Sequence, residues 1–244
     1  MVNQNDFEVL TLTKDDILKC IRKARHENFL DNLRTRDPLI AFDCYLRGCV
    51  GEFAFRRWLE NHNILIQQQD EMRPDNGNID IDFFVNGKDL ELKTSLIPSK
   101  YYQQKHVDKR IQWEALLKGC DIKLIRRGNE TIEQLKGDIH VQIYFDAGKD
   151  TKEKWLLKQN VDLVNSSDEE IYNKLYAKMY IDHTYLVAWI DKPTLIRRLS
   201  NKSIADATWT FKNSKRRFWK SKLIYSNKPL DLVAYLRDGK VKNS

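Results

Sequence analysis

The chain has 244 residues, 41% of them hydrophobic and 11% aromatic, which is enough for one large domain or two small ones with a sizeable core. Its 42 Lys and Arg residues exceed its 35 Asp and Glu residues and give a formal net charge of +7, which favours an acidic partner. No uncharged apolar run approaches the roughly 18 residues that a membrane-spanning helix needs, so we expect no membrane association.

The first ten residues and the cysteines indicate a cytoplasmic protein. Asp6 and Glu8 stand where a secretory signal would need basic and apolar residues. The four cysteines, at positions 20, 44, 49 and 120, lack the paired short spacing of a zinc site and are too few for a disulfide framework in a chain of this size. We therefore expect free thiols in a reducing compartment.

The first predicted helix begins near residue 13. Thr13-x-x-Asp16 resembles a capping box, and apolar residues follow at helical spacing from Ile17 to Ala24. We expect this helix to end before Asp37-Pro38.

A second helical pattern begins at Leu39 and contains Gly48 and Gly51. Each glycine inside a helix costs roughly 1 kcal/mol relative to alanine, so we expect either a break in the helix or close packing against a neighbour. Beyond it, residues 64–68 fit a strand and residues 73–78 fit a loop.

The clearest local pattern is a β-hairpin over residues 79–95. Asn86-Gly87 separates two alternating runs, 79–85 and 88–95. A type I′ turn requires positive φ at both central residues, which makes Asn-Gly the strongest short-range signal for a two-residue hairpin.

Further elements follow the hairpin. Residues 139–145 alternate between apolar and polar side chains and predict a half-buried strand, and Ser167-x-x-Glu170 should cap a helix whose apolar stripe reaches Met179. Residues 184–190 predict a buried strand, with a short helix from Pro193 to Leu199 after it.

These elements predict one mixed α/β domain over residues 1–244, without internal repeats or a long linker. Its parts are a helical N-terminal region (about 1–62), a hairpin core (about 63–190) and a basic C-terminal subregion (about 191–244).

The Asn86-Gly87 turn fixes the register of the hairpin. It places Asp82 opposite Glu91, and Asp80 opposite Lys93, on the face opposite the apolar one. Two carboxylates directly across an antiparallel pair repel each other by some tenths of a kcal/mol. A divalent cation between them would compensate, whereas the alternative is a solvated face on which acidic and basic residues simply alternate.

Asp82 followed by Glu91-Leu92-Lys93 on the adjoining strand resembles the motif of the PD-(D/E)XK nuclease superfamily, which has the restriction-endonuclease-like fold. The helical Gly51-Glu52-Phe53 also resembles the helix that brings a further acidic residue to the site in many members. The resemblance covers residues 48–145 and implies a mixed β-sheet with a central β-hairpin flanked by helices. The literal Pro-Asp pair is Pro74-Asp75, so Asp80 and Asp75 remain alternatives to Asp82.

The resemblance implies a metal-dependent phosphodiesterase site. Hard oxygen ligands select Mg²⁺ or Mn²⁺, with Asp82 and Glu91 as ligands and Glu52 as a ligand of a second metal or a metal-bound water. Lys93 would orient or deprotonate the attacking water or stabilise developing charge. Gln142 could position the water or be a polar residue on the open face of a strand.

Two residues near this motif have alternative interpretations. Ser95 could touch a phosphate or form a hydrogen bond at the end of the strand. His140 is interpreted as a hydrogen-bonded strand histidine rather than as a catalyst.

The positive charge is concentrated near the C-terminus. Residues 191–223 carry ten Lys or Arg residues and two Asp, a net of +8, so the remaining chain sums to −1. Basic side chains neutralise phosphates and aromatic ones can stack on bases, although an ordinary basic surface over core aromatics is the alternative. A weaker patch at 100–127 has eight basic and three acidic residues. The predicted DNA-binding residues are Lys212, Lys215, Arg216, Arg217, Lys220 and Lys222.

Together these features predict a Mg²⁺-dependent endonuclease that cleaves duplex DNA in the manner of a restriction enzyme. The resemblance implies a homodimer, because duplex cleavage needs two sites. The alternatives are a structure-specific repair or junction-resolving nuclease, and a nucleic-acid-binding protein that kept the fold without catalysis.

Overall fold

The structure is a computed structural model that describes residues 1–26, 37–66, 81–105, 108–177, 183–211 and 216–238. This described part is an α/β protein with eight α-helices, a five-stranded mixed sheet and smaller antiparallel sheets. The helices are α1 Lys14–His26, α2 Pro38–Asn61, α3 Trp113–Gly119, α4 Lys149–Leu156, α5 Asp168–Ile171, α6 Lys192–Leu199, α7 Ile204–Ala207 and α8 Pro229–Asp238. The strands are β1 Glu8–Leu10, β2 Phe83–Val85, β3 Lys88–Ile97, β4 Tyr102–Lys105, β5 Asp108–Ile111, β6 Leu124–Arg126, β7 Ile139–Gly148, β8 Thr184–Asp191, β9 Thr208–Thr210 and β10 Arg217–Trp219.

The five-stranded sheet has the order β1-β8-β7-β3-β2. Strands β3 and β7 are parallel, and the other neighbours are antiparallel. The predicted mixed sheet with flanking helices is confirmed. The expectation of a central hairpin is wrong for the described strands, because β2 pairs only with β3 and forms the edge of the sheet.

Side chains on the two faces of the sheet pack into two separate hydrophobic cores. Leu90 and Leu92 of β3 belong to the core shared with α1, α2 and α8, whereas Ile97 belongs to the core shared with α3 and α6. Glu91 lies between Leu90 and Leu92 in the strand, so it faces the side of the sheet that carries α3 and α6.

The N-terminal predictions hold where the structure describes them. The Thr13 backbone N–H donates to Asp16 Oδ2 (3.0 Å), and the Asp16 N–H donates to Thr13 Oγ1 (3.3 Å), so the capping box at the start of α1 is confirmed. Helix α2 runs unbroken through both of its glycines. A Cβ built at Gly51 would overlap Thr94 Cγ2 on β3, whereas one built at Gly48 meets no atom within 4 Å. Close packing at Gly51 is therefore the correct alternative.

This contrast predicts opposite effects for two alanine substitutions in one helix. Gly48→Ala should stabilise the protein by up to about 1 kcal/mol through helix propensity alone. Gly51→Ala should destabilise it by about 1–2 kcal/mol, because overpacking outweighs the same gain. Urea unfolding measures both, and adding Thr94→Ser to Gly51→Ala should recover part of the loss. Equal effects at the two positions would contradict the packing of α2 on β3.

The hairpin prediction is confirmed in turn and register. Asn86 has φ 49° and Gly87 has φ 78°, and the paired residues are Phe83 with Leu90, Phe84 with Asp89 and Val85 with Lys88. Residues 79 and 80 lie outside the described part of the chain.

Three of the remaining predictions are changed by the structure. Residues 64–66 form no strand, and the rest of the predicted strand and the loop at 73–78 lie outside the described residues. Ser167 caps α5, but α5 is short and continues as a π-helical turn, Tyr172–Tyr176, with Met179 outside the description. Strand β7 is buried on both faces rather than one, because helices and loops cover both sides of the sheet.

The strand at β8 and the short helix at α6 match their predictions. Among the helices that the structure describes, none is both long enough and apolar enough to cross a lipid bilayer.

Candidate functional site

The backbone of the hairpin brings Asp82 to Glu91. The Asp82 N–H donates to the Leu90 carbonyl (2.9 Å), next to the last regular pair of the hairpin, Phe83 with Leu90. The Leu92 N–H in turn donates to Asp82 Oδ2 (2.5 Å). Asp82 therefore contacts β3 at Leu90 and Leu92, the residues on either side of Glu91, close to the place that its sequence position predicts.

Glu91 is the most enclosed acid of this group, with 4% of its side chain exposed. Its Oε1 lies 2.7 Å from Lys93 Nζ, and its Oε2 lies 2.8 Å from His140 Nδ1. Although burial raises the pKa of Glu91, the hydrogen bond with His140 and the charge of Lys93 bring it below its ordinary value. Glu91 is therefore a carboxylate with both oxygens engaged.

The parallel pairing of β3 with β7 explains the contact with His140. It sets Glu91 beside His140 and Lys93 beside Gln142 on the same face of the sheet. His140 is buried, and its Nε2 has no hydrogen-bond partner among the described residues. The interpretation of His140 as a hydrogen-bonded strand histidine is confirmed, but its partner depends on a strand pairing between segments about fifty residues apart.

Asp82 differs from Glu91 in its protonation. The pKa of Asp82 is raised to about 7, chiefly by burial and to a smaller extent by the negative charges of Glu52 and Glu91, while the Leu92 N–H and the charge of Lys93 oppose the rise. The site thus combines one carboxylate that ionises readily with one that ionises near neutral pH. A cation beside Asp82 would favour its ionised form.

Glu52 approaches the site from the other side of β3. The residue before it, Gly51, packs against Thr94 and Leu92, so the helix lies close to the strand at this point. Lys23 Nζ lies 3.5 Å from Glu52 Oε2, and the Glu52 side chain is 34% exposed. Glu52 is close enough to act on the pKa of Asp82, which agrees with its predicted place near the site.

Gln142 and Ser95 have structural partners. Gln142 is fully buried, and its Nε2 donates to the Lys93 carbonyl (3.0 Å) and to Ser95 Oγ (3.1 Å). The interpretation of Gln142 as lying on an open face is therefore wrong, because the strand is covered on that side. Ser95 lies inside β3 rather than at its end, and its hydroxyl accepts from a side chain instead of facing solvent.

The donor set fits a hard cation in part. Mg²⁺ commonly uses one or two protein carboxylates and keeps several waters, which suits Asp82 and Glu91, whose charge acts on Asp82. Within the described residues, however, no three His, Cys, Asp or Glu side chains are grouped as a metal site, so Glu52 is not placed as a third ligand. The alternatives Asp80 and Asp75 lie outside the described residues.

The basic C-terminal segment is only partly described, and Lys212 and Lys215 fall outside the description. Arg217 is exposed on β10, whereas Lys222 pairs with Asp121 Oδ2 (3.1 Å) and Lys220 Nζ donates to the Ala205 carbonyl (3.1 Å). Arg216 is partly buried.

The described aromatic side chains of this segment mainly pack inside the protein. Phe218 and Trp219 are buried, and Phe218 stacks on Trp209 with ring centroids 4.6 Å apart. The interpretation of these aromatics as core residues is therefore correct for Phe218 and Trp219.

The described residues also line a cleft of about 230 Å³ between β1, α1 and the π-helical turn. Its walls include Leu10, Lys14, Tyr172 and Tyr176, and none of the predicted site residues lines it.

Comparisons with family models, curated proteins and solved structures found no match to this chain.

Proposed function

We propose that the protein is a metal-dependent endonuclease that hydrolyses phosphodiester bonds in DNA. The observation that carries the proposal is that Asp82 hydrogen-bonds to Leu90 and Leu92 on either side of Glu91, with Lys93 Nζ 2.7 Å from Glu91 Oε1. A carboxylate pair with an ammonium group on the same face supplies cation ligands and a positive charge, which hydrolysis of a charged diester needs.

Each side chain has a role in this proposal. Asp82 and Glu91 would hold Mg²⁺ or Mn²⁺, which when bound lowers the pKa of its water and neutralises phosphate charge. Lys93 would orient the water or stabilise charge on the phosphate oxygens, and Glu52 would lower the local potential that attracts the cation. His140 holds Glu91 Oε2, so the carboxylate keeps a fixed orientation.

Replacing Lys93 tests the proposal. Lys93→Met should lower the cleavage rate of duplex DNA in Mg²⁺ by about 10²- to 10³-fold, because it removes a preorganised positive charge. The matched control is Lys174→Met, since Lys174 forms an exposed ion pair with Glu170 (2.5 Å). Single-turnover cleavage of a labelled duplex measures both rates, and equal rates for the two variants would overturn the role of Lys93.

The same assay shows which kind of nucleic acid the protein cleaves. Intact duplexes, branched junctions, flaps and RNA duplexes compared at one Mg²⁺ concentration separate a restriction-type enzyme from a junction-resolving one. The homodimer remains a prediction that sedimentation of the protein on DNA would test.

A second candidate function is a nucleic-acid-binding protein without catalysis. The observation that favours it is that Lys93 and His140 already engage both oxygens of Glu91, with no group of three metal-binding side chains among the described residues. Calorimetric titration with Mn²⁺ separates the candidates. Binding that Asp82→Asn removes supports the nuclease, and no binding supports the second candidate.

A further inference from the structure

The three-stranded sheet β6-β10-β9 carries a row of apolar side chains on one face. In its register, Phe218 of β10 lies between Ile125 of β6 and Trp209 of β9. Leu124 and Trp219, which neighbour this row in the chain, belong to the core shared with α3 and α6. Because side chains alternate along a strand, Ile125, Phe218 and Trp209 lie on the face turned away from that core, which we call the outer face.

Trp209 is only partly covered on the outer face. Its ring stacks on buried Phe218, with centroids 4.6 Å apart and 14° between the planes. Strand β9 is an edge strand, so no further strand of the described sheet lies beyond the other side of the indole. Phe211 continues the row, with its ring centroid 6.2 Å from that of Trp209. Trp209 and Phe211 are both partly exposed, and neither belongs to the two hydrophobic cores.

Cations surround these two aromatic side chains. Lys149 Nζ lies 5.7 Å from the centre of the Phe211 ring, and the Phe211 N–H donates to the Arg216 carbonyl (2.8 Å). Arg216 precedes Phe218 by two residues and Lys220, which is exposed, follows it by two, so alternation places both on the outer face. Neither β9 nor β10 contains an acidic residue. The outer face therefore combines a flat aromatic surface with positive charge.

Strand β6 connects this sheet to the hairpin site. The N–H of Lys123, the residue before β6, donates to Gln142 Oε1 (3.4 Å), and Gln142 Nε2 donates to the Lys93 carbonyl (3.0 Å). Strand β9 is two strands away from β6, which is about 10 Å at the usual spacing of strands. A chain held at Trp209 therefore lies close to the strand that carries Lys93.

We propose that the outer face binds single-stranded nucleic acid, with an unpaired base stacked on Trp209 and phosphates held by Arg216 and Lys220. Aromatic rings stack on any base through its π-face, and basic side chains neutralise the backbone. A base inside a duplex has no free face for such a contact, so the proposal specifies a substrate with an unpaired segment, such as a flap. The choice of nucleic acid rather than another polyanion rests on the proposed function.

The test is binding of two labelled oligonucleotides of equal length, oligothymidylate and its abasic analogue, measured by fluorescence anisotropy in EDTA. The analogue keeps the phosphates but has no bases to stack. Trp209→Ala should weaken binding of oligothymidylate by about 5- to 100-fold and leave binding of the analogue unchanged. Trp209→Phe keeps an aromatic ring and should recover most of the loss. Arg216→Met should weaken binding of both and reduce the slope of log K against log salt by about 0.7.

The control is Tyr225→Ala, because Tyr225 is an aromatic residue with 56% exposure that lies outside the outer face. This variant should bind both oligonucleotides as the parent does. Urea unfolding checks that each variant is folded. If Trp209→Ala does not fold because Phe218 has lost its stacking partner, Phe211→Ala takes its place, with the same selective loss of oligothymidylate binding expected.

Equal affinity of the parent for the two oligonucleotides would overturn the proposal, because the outer face would then hold phosphates alone and suit an acidic peptide equally well. Equal weakening of both by Trp209→Ala would also overturn it. Since EDTA removes the metal, the assay does not depend on cleavage. Selective binding through Trp209 without cleavage of any substrate would refute the nuclease proposal and leave this one standing, whereas cleavage without this selectivity would do the reverse.

Discussion

Asp82→Asn should make the folded protein more stable at pH 8 while removing the proposed cleavage of DNA. The folded state raises the pKa of Asp82 to about 7 from an ordinary 3.8, chiefly through burial. A rise of this size corresponds to about 4 kcal/mol between the protonation states. Asparagine keeps the oxygen that accepts from the Leu92 N–H and removes the charge, so we expect a gain of about 2–4 kcal/mol in the free energy of unfolding at pH 8.

The sign of this effect depends on pH. The native state binds the Asp82 proton more tightly than the unfolded chain, so the favourable contribution of the protonated group is complete below about pH 4 and is lost as the pH rises to about 7. The advantage of Asp82→Asn over the parent should therefore be near zero at pH 4 and largest at pH 8. Urea unfolding in EDTA at both pH values measures it.

Addition of Mg²⁺ should reverse the order of stability. A cation that binds the ionised Asp82 and Glu91 of the folded state stabilises the parent by mass action but cannot use the asparagine amide in the same way. Equal stability of parent and variant at pH 8 in EDTA would contradict the claim that burial of the Asp82 carboxyl raises its pKa. Equal stabilisation of both by Mg²⁺ would contradict Asp82 as a ligand.

Asp43→Asn should destabilise the protein by about 3–5 kcal/mol, because it leaves buried cations without their shared carboxylate. Despite burial, the charges of Lys152 and Arg47 keep the pKa of Asp43 below its ordinary value, so its carboxylate is ionised at neutral pH, whereas burial lowers the pKa of Lys152 to about 7. The ion pair of Lys152 with Asp43 (2.6 Å) joins α4 to α2, and that of Arg47 with Asp43 (2.9 Å) lies within α2. Urea unfolding at pH 7 measures the loss.

A double variant separates charge from packing in this effect. Adding Lys152→Met to Asp43→Asn removes one of the unpaired cations and should recover a large part of the stability. The control is Glu170→Gln, which breaks an exposed ion pair and should change the stability little. A loss in Asp43→Asn no larger than that in Glu170→Gln would contradict an ionised buried pair.

The hairpin was predictable because its determinants are local. Asn86 and Gly87 favour positive φ at adjacent positions, and this two-residue turn alone fixes which side chains oppose each other. The start of α1 is a similar case, since Thr13 and Asp16 satisfy each other within a single turn. The position of Asp82 beside the strand segment that carries Glu91 follows from the turn, so this half of the candidate site could be predicted from the sequence.

The rest of the site depends on contacts distant in the chain. Glu91 meets His140 only because β3 and β7 pair in parallel, and alternation within β7 gives no sign that a second layer covers its polar face. The layer that covers this polar face of β7 also buries Gln142. The edge position of the hairpin and the grouping of Asp43 with Arg47 and Lys152 also depend on how α2, α4 and β7 pack, which local sequence patterns do not specify.

The most direct test of the account is cleavage of supercoiled plasmid by the parent protein in Mg²⁺, with Asp82→Asn as the matched variant and EDTA as the blank. The account predicts that the parent converts the plasmid to open or linear forms, that EDTA stops the reaction, and that Asp82→Asn is slower by about 100-fold or more while remaining folded. Cleavage by parent and variant at the same rate, or no cleavage of any duplex, junction or flap by a folded parent that binds DNA, would contradict it.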